Sequence, residues 1–528
     1  MSSDPKSDPK RRTAVETWTL IATILASSMA FIDSSALNVV LSNLQRDLNA
    51  SGAQLLWIVN AYLLMLAALI LTGGALGDHF GRNRVFGVGI ALFAAASLAC
   101  GLAPTIEMLL VMRVIQGIGG ALMVPGSLAI ITANFRASRR GVAIGTWSSF
   151  STLTTMAGPA IGGAFASIGL WRLVFFINVP LALIALFALT HVPETRDEQA
   201  TGRFDIWGTL LVVLGLFGVT YGAIGLGNRS GTEVVNPLDV VALVGGIAAL
   251  ICFIVVEMRI PHPMMPLTIF RSRTFAGTNA MCVFLYGALT GALFFLPLNL
   301  IQIQGYNPFL AGLANLPFSI LLAALSPIMG RMTDRFGARL LLTVGPGVVG
   351  LGFVLLALPG LTAGPVAYWW TYFPAILVIG LGMGITVAPL TTAVMSSLPS
   401  HQSGVASGVN NAVTRSAQVL ALAILGAVAL LSFSNALQAR AESLPLSPEQ
   451  RTTLVSESGK LGETPPPPGL DQGARQQVEA AVQDSFVGMF RLLSLIGAGM
   501  ALLSAALAWL LVESRPAGAE PAPTTGAP

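Results

Sequence analysis

Apolar runs of about twenty residues or more, separated by short polar turns, recur along almost the whole chain. Counting one bilayer crossing per run gives about fourteen segments. Their limits are 17–43, 54–76, 85–103, 105–134, 142–168, 172–191, 205–226, 237–257, 274–302, 308–330, 338–360, 367–397, 404–433 and 484–512. The pattern predicts an all-α membrane protein. One position breaks it: the first run carries a carboxylate, Asp33, near its middle. An acid at that depth costs about 2.5–3.5 kcal/mol on insertion scales, so it points to function. No other run holds an acid at mid-depth, since Asp78, Glu107, Asp205, Asp239, Glu257 and Asp334 fall at predicted helix ends or in loops.

Charge sets the expected topology. If the N-terminus is cytoplasmic, one side collects Arg82, Arg84, Arg136, Arg139, Arg140, Arg196, Arg203, Arg259, Arg271, Arg273, Arg331, Arg335 and Arg339. The opposite short loops hold only Arg46, Arg172 and Arg229. The positive-inside rule then places both termini in the cytoplasm of a cell whose inner membrane the chain spans. Residues 434–484 are out of character: polar, with four prolines at 465–468, they read as a partly disordered extracytoplasmic loop whose later part is helical and leads into the last crossing. The tail 513–528 reads as disordered and 1–16 as a cytoplasmic tail. The basic start resembles a signal peptide, but the run behind it is too long for a cleaved one.

Composition agrees. The 528 residues are 54% hydrophobic and 10% charged, with mean hydropathy +0.76, far from a soluble protein. The sequence pI of about 9.2 comes from arginines scattered over loops, which suits lipid headgroups rather than nucleic acid. The cysteines, Cys100, Cys252 and Cys282, lie in apolar runs and form no disulfide framework. No metal-ligand cluster, nucleophile constellation or phosphate loop is present, which argues against an enzyme or an ATP-driven pump and for no cofactor beyond an ion gradient.

The chain also echoes itself. Gly74, Asp78, Phe80 and Gly81 match Gly330, Asp334, Phe336 and Gly337 at one constant offset, each set closing a crossing on the cytoplasmic side. Such repeats mark many secondary transporters, which bind substrate between the halves near the midplane. The crossings at 205–257 have no counterpart and read as an inserted pair. In the first copy, Gly77 and Gly81 permit a tight reversal, while Asp78, Arg82 and Arg84 offer charges to helix ends. In the fourth run Arg113 and Gln116 share a face, and Gly117, Gly119 and Gly120 allow close approach. Arg113 lies about 12 Å and Asp33 about 15 Å from the outer ends of their helices, so the two can pair. A fixed guanidinium and burial act on such a carboxyl in opposite directions, which suits a proton carrier. In the fifth run Gly158, Pro159, Gly162 and Gly163 make a kinked surface poor in side chains. Asn178 and Pro180 interrupt the sixth. Asn38, Asn60, Gln116, Asn279, Asn315 and Asn411, with Trp147 and Phe294, are candidates to line a cavity or to bind helices together.

These stretches together resemble the fourteen-helix drug:proton antiporters of the major facilitator superfamily. The likeness rests on FIDSSALNVVL, WIVNAYLL with Trp57 and Tyr62, GDHFGRNR, RVIQGIGGA, GPAIGG, WRLVFFINVP and SGVASGVNNAVTRSAQ. It implies two six-helix bundles, 17–196 and 261–512, flanking an inserted pair in 197–260. It further implies a monomer that exports hydrophobic or cationic small molecules against protons. Asp33 would carry the proton with Arg113 as partner, Tyr62 would join the cavity, and Asp78 would help latch the cytoplasmic side. GPAIGG resembles the antiporter rather than the symporter pattern, and Arg415 matches a recurrent arginine of unassigned role. The alternative is export of a lipid or endogenous metabolite, with 434–483 touching an envelope partner.

Overall fold

The computed structural model describes residues 9–196, 205–228, 235–260, 263–399 and 402–514. Among them the helices are α1 (Pro9–Leu48), α2 (Gly52–Phe80), α3 (Arg82–Leu102), α4 (Ile106–Asn134), α5 (Ala137–Ser167), α6 (Leu173–Phe176), α7 (Asn178–Leu189), α8 (Ile206–Gly227) and α9 (Pro237–Glu257). They continue as α10 (Arg273–Leu293), α11 (Phe295–Leu298), α12 (Pro308–Leu313), α13 (Leu316–Phe336), α14 (Ala338–Leu356), α15 (Tyr372–Ser396), α16 (Ser403–Ala441), α17 (Pro448–Ser456) and α18 (Gln472–Leu511). No strand occurs among the described residues. Twelve helical stretches there are long and apolar enough to cross a membrane, with α10, α11 and the π-turn Asn299–Ile303 forming one of them. The segments expected at 142–168 and 172–191 are helical too, as α5 and α6–α7. They fall outside that set because α5 is rich in Gly, Ser and Thr and Leu173–Leu189 is short.

The internal echo extends to packing. In the first half α1 lies along α5 and α7, α4 along α2 and α3, and α3 on α7. In the second half α10 lies along α16 and α18, α15 along α13 and α14, and α14 on α18. The two schemes map onto each other, so one arrangement is built twice. The halves meet where α2 runs along α16 and where α5 meets α12. Helices α8 and α9 pair with each other, and α8 rests on α16 and α2. Gly81 (φ 106°) and Gly337 (φ 78°) occupy equivalent reversals with positive φ, which is why the echo keeps glycine there.

Apolar side chains have no reason to leave lipid for one another, so close backbone contact has to hold the helices together. A Cβ on Gly119 of α4 would sit 2.6 Å from the Phe93 nitrogen of α3, and one on Gly117 would sit 2.6 Å from the Tyr62 oxygen of α2. The glycines of 158–163 face two ways. Gly158 and Gly162 abut Ser35 and Ala36 of α1, whereas Gly163 abuts Pro308 and Phe309, and Gly312 returns the contact to Pro159. The break between α6 and α7 is satisfied from α3: Ser97 donates to the Phe175 carbonyl (2.9 Å) and accepts from Asn178 (2.9 Å).

Two expectations change. Residues 434–484 are folded over most of their length. α16 runs on to Ala441, α17 follows, and α18 already begins at Gln472. This cap is tied down by Arg46 to Glu463 (2.6 Å), Gln45 Nε2 to the Lys460 carbonyl (2.9 Å) and the buried Ser434–Ser458 hydroxyl pair (3.0 Å). Composition suggested disorder because Arg46 and Gln45, which hold the cap to the first half, lie more than four hundred residues away in sequence. The first helix also starts earlier than hydropathy indicates, at Pro9, with Glu16 buried against Arg139 of α5 (2.5 Å). The expected disorder at 515–528 lies outside the described residues.

Substituting Gly119→Leu should lower the thermal midpoint of the detergent-purified protein by several degrees, since overpacking costs about 1–3 kcal/mol. Gly499→Leu, where an added Cβ meets nothing within 4 Å, should leave the midpoint roughly unchanged.

Candidate functional site

The site is built on three helices of the first half. From α1, Asp33 points inward and is wholly buried, its side chain 0% exposed against 1% for Arg113. Arg113 of α4 donates from Nη1 to Asp33 Oδ2 (2.6 Å) and to Gln116 Oε1 (2.7 Å), and from Nε to the Ile58 carbonyl of α2 (3.0 Å). Gln116, one turn further along α4, donates to Asp33 Oδ1 (2.9 Å). Both oxygens of the acid are therefore taken. The guanidinium also lies over the Tyr62 ring, 4.6 Å from its centroid. Four residues expected for the site, Asp33, Arg113, Gln116 and Tyr62, thus converge in one place. Charge-assisted bonds of this kind are short and strong, and here they knit α1, α2 and α4 together.

The other expected residues disperse. Asn60 is buried near this network, and neither side-chain atom has a partner; Asn38 Oδ1 is likewise buried and unpartnered. Trp147 is half-buried and donates to Ser27 of α1 (3.0 Å), which in turn bonds Ser127 (2.9 Å), so it ties α5 to α1 and α4. Phe294 is buried in the second half against Phe295. Asn315 stands at the joint before α13. Asn411 is exposed and donates back to Ser407 of its own helix (3.0 Å). Its neighbour Asn410, which sequence reasoning passed over, reaches across to Asn279 Oδ1 (3.1 Å).

At the reversal after α2, Arg82 bonds Asp78 (2.7 Å), so these two charges pair with each other across the turn. The residue that fixes the turn went unnoticed: Glu194 accepts from the backbone nitrogens of Asn83 (2.9 Å) and Arg84 (3.2 Å), capping α3 with a carboxylate at its positive end. Glu194 lies three residues past the sixth run, two before Arg196. Asp334 lies in the last turns of α13, and its side chain is outside the described set. Arg415 stands in the second half, partly buried, with Gln418 Oε1 3.5 Å away.

A buried acid–arginine pair inside one of two repeated helical halves fits a transporter, and the comparisons name the family. The sequence profile of the Major Facilitator Superfamily matches residues 23–422. The chain belongs to that superfamily. It is 33% identical over 444 residues to multidrug resistance protein Stp of Mycobacterium tuberculosis, covering 83% of this chain and 80% of that one. It is 31% identical over 511 residues to the tetracenomycin C resistance and export protein of Streptomyces glaucescens, covering 94% and 92%. Among solved structures it superposes on a bacterial homologue of the human lysosomal transporter Spinster with TM-score 0.64 at 18% identity, covering 96% and 99%. The D-xylose–proton symporter follows with TM-score 0.58 at 14% identity, covering 95% and 98%. These two show the fold. The chain is a multi-pass membrane transporter of the superfamily acting on small molecules, with drug-resistance proteins among its relatives, and not an enzyme.

Arg113→Ala should cost about 3–5 kcal/mol, because it leaves a buried, unpaired carboxylate. Replacing the pair together, Asp33→Leu with Arg113→Met, should recover much of that loss. Denaturant or thermal unfolding of the three proteins in one detergent checks both statements.

Proposed function

We propose that this transporter is a proton-coupled antiporter that exports hydrophobic small molecules by alternating access, fourteen helices crossing the cell membrane with both termini cytoplasmic. Twelve stretches meet length and apolarity, and α5 with α6–α7 supply the remaining two crossings. The observation that carries the reading is the lone mid-span acid, Asp33, clasped by Arg113 and Gln116. Supporting it are the repeated halves, the glycine surface at 158–163 and relatives whose names record drug resistance and export.

In this arrangement no water reaches Asp33, so its proton exchange belongs to another conformation. A proton arriving there removes the charge that Arg113 pairs with and leaves a buried guanidinium facing a neutral group. That conformation of α1 and α4 is then disfavoured, and the equilibrium between access states shifts. The proton acts on the balance of conformations rather than by vacating a seat in the cavity. The membrane potential adds about 2.3 kcal/mol per charge per 100 mV. Asp78 with Arg82, and the matching reversal at 330–337, would latch the same end of both halves. The second reading, a lipid or metabolite exporter with an envelope partner at 434–483, draws no support from the cap's polar contacts to its own chain at Arg46 and Gln45.

Asp33→Asn should abolish dye efflux driven by a pH gradient in proteoliposomes and the proton release evoked by substrate in detergent. Efflux at the wild-type rate from that variant would remove Asp33 from the mechanism. If the asparagine also lowers stability, Asp33→Glu serves as the second variant: it should keep coupling with an altered pH profile.

A further inference from the structure

The two halves carry unequal charge at mid-span. Asp33 and Arg113 neutralise each other, with both carboxylate oxygens occupied. Arg415 has no such counterpart. It sits twelve residues into α16, about 18 Å along that helix, with the amide of Gln418 as its hydrogen-bond partner, 3.5 Å away, and no carboxylate within ion-pair distance among the described residues. α16 runs along α2 of the first half and α10 of its own, and Gly408 and Gly426, which share Arg415's helical face, meet Leu71 and Leu56 of α2. The positive charge therefore stands at the seam where the halves meet. Arg415 is only partly buried.

An arginine remains charged at any accessible pH and cannot escape an apolar site by losing its proton. A fixed cation in a low dielectric is stabilised by an anion brought to it and repels a cation strongly. Asp33 cannot offset this, since Arg113 and Gln116 already occupy it. We infer that the seam between the halves, centred on Arg415, selects cargo with a hydrophobic body and an acidic, negatively charged group, and disfavours lipophilic cations. The inference rests on the export reading above and gives its hydrophobic cargo a negative charge, where the family resemblance implied a hydrophobic or cationic one. The inside-negative membrane potential also favours outward movement of such an anion.

The test uses two dyes sharing one fluorophore, dansylglycine (anionic) and dansylaminoethyl-trimethylammonium (cationic), titrated into the purified full-length protein with micelle background subtracted. The wild type should bind the anion at least about tenfold more tightly than the cation. Arg415→Gln should bring the two affinities together, Arg415→Lys should preserve their order, and Arg415→Glu should reverse it. Equal or tighter binding of the cation by the wild type, binding of neither dye, or a ratio unmoved in Arg415→Gln overturns the inference. Gel filtration confirms that each variant is folded, and the glutamate variant keeps the test decisive if glutamine does not fold, an unreversed order there overturning the inference. Proton release measured in the same samples separates the two readings. Anion preference without proton release leaves the charge assignment standing and removes the coupling. Cation preference with intact proton release does the reverse.

Discussion

Lipid offers no solvent for a charge, and that single constraint organises the first half of this transporter. Asp33 can exist at mid-span only because Arg113 and Gln116 reach both of its oxygens, and Arg113 is itself held by the Ile58 carbonyl and the Tyr62 ring. Each donor comes from a different turn or helix, so the acid is satisfied only while α1, α2 and α4 keep their register. The pair is thus a gauge of packing as much as a source of chemistry. Removing either member leaves an orphaned charge, whereas a proton on Asp33 achieves the same imbalance reversibly.

Close backbone contact supplies the rest of the cohesion. Glycines on α4 and α5 let neighbouring helices approach to distances that any Cβ would forbid, and the same pairing scheme appears in each half. The two halves differ in what they bury at the centre. The first encloses a neutralised ion pair, while the second presents Arg415 with no carboxylate within ion-pair distance among the described residues. Duplication has preserved the frame and left the charges asymmetric. An asymmetric interior is what a carrier requires if one half is to respond to protons while the other helps recognise cargo.

The cap over 434–471 joins the halves at one end through Arg46, Gln45 and Gln302, the last accepting no role in hydropathy but donating to Gln45 (2.9 Å). Apart from the α2–α16 contact, links between the halves gather at that same end, where α5 also meets α12. A rocking motion that opened it would have to part these contacts together.

Much of this was readable from the chain. Runs of apolar residues fixed where helices lie, a solitary acid and an arginine at matching depth announced their pairing, and the constant offset between 74–81 and 330–337 announced the duplication. Each of these depends on composition and spacing along one helix, which sequence records directly. What it does not record is the face a residue presents in a helix that is apolar all round. Adjacent positions there point about 100° apart, so Asn410 and Asn411 look equivalent in sequence, yet one bridges to Asn279 and the other returns to its own backbone. Glu194 capping α3, Trp147 turned to Ser27, and the folded cap were settled only by the tertiary structure, because their partners are brought near by the packing of distant segments.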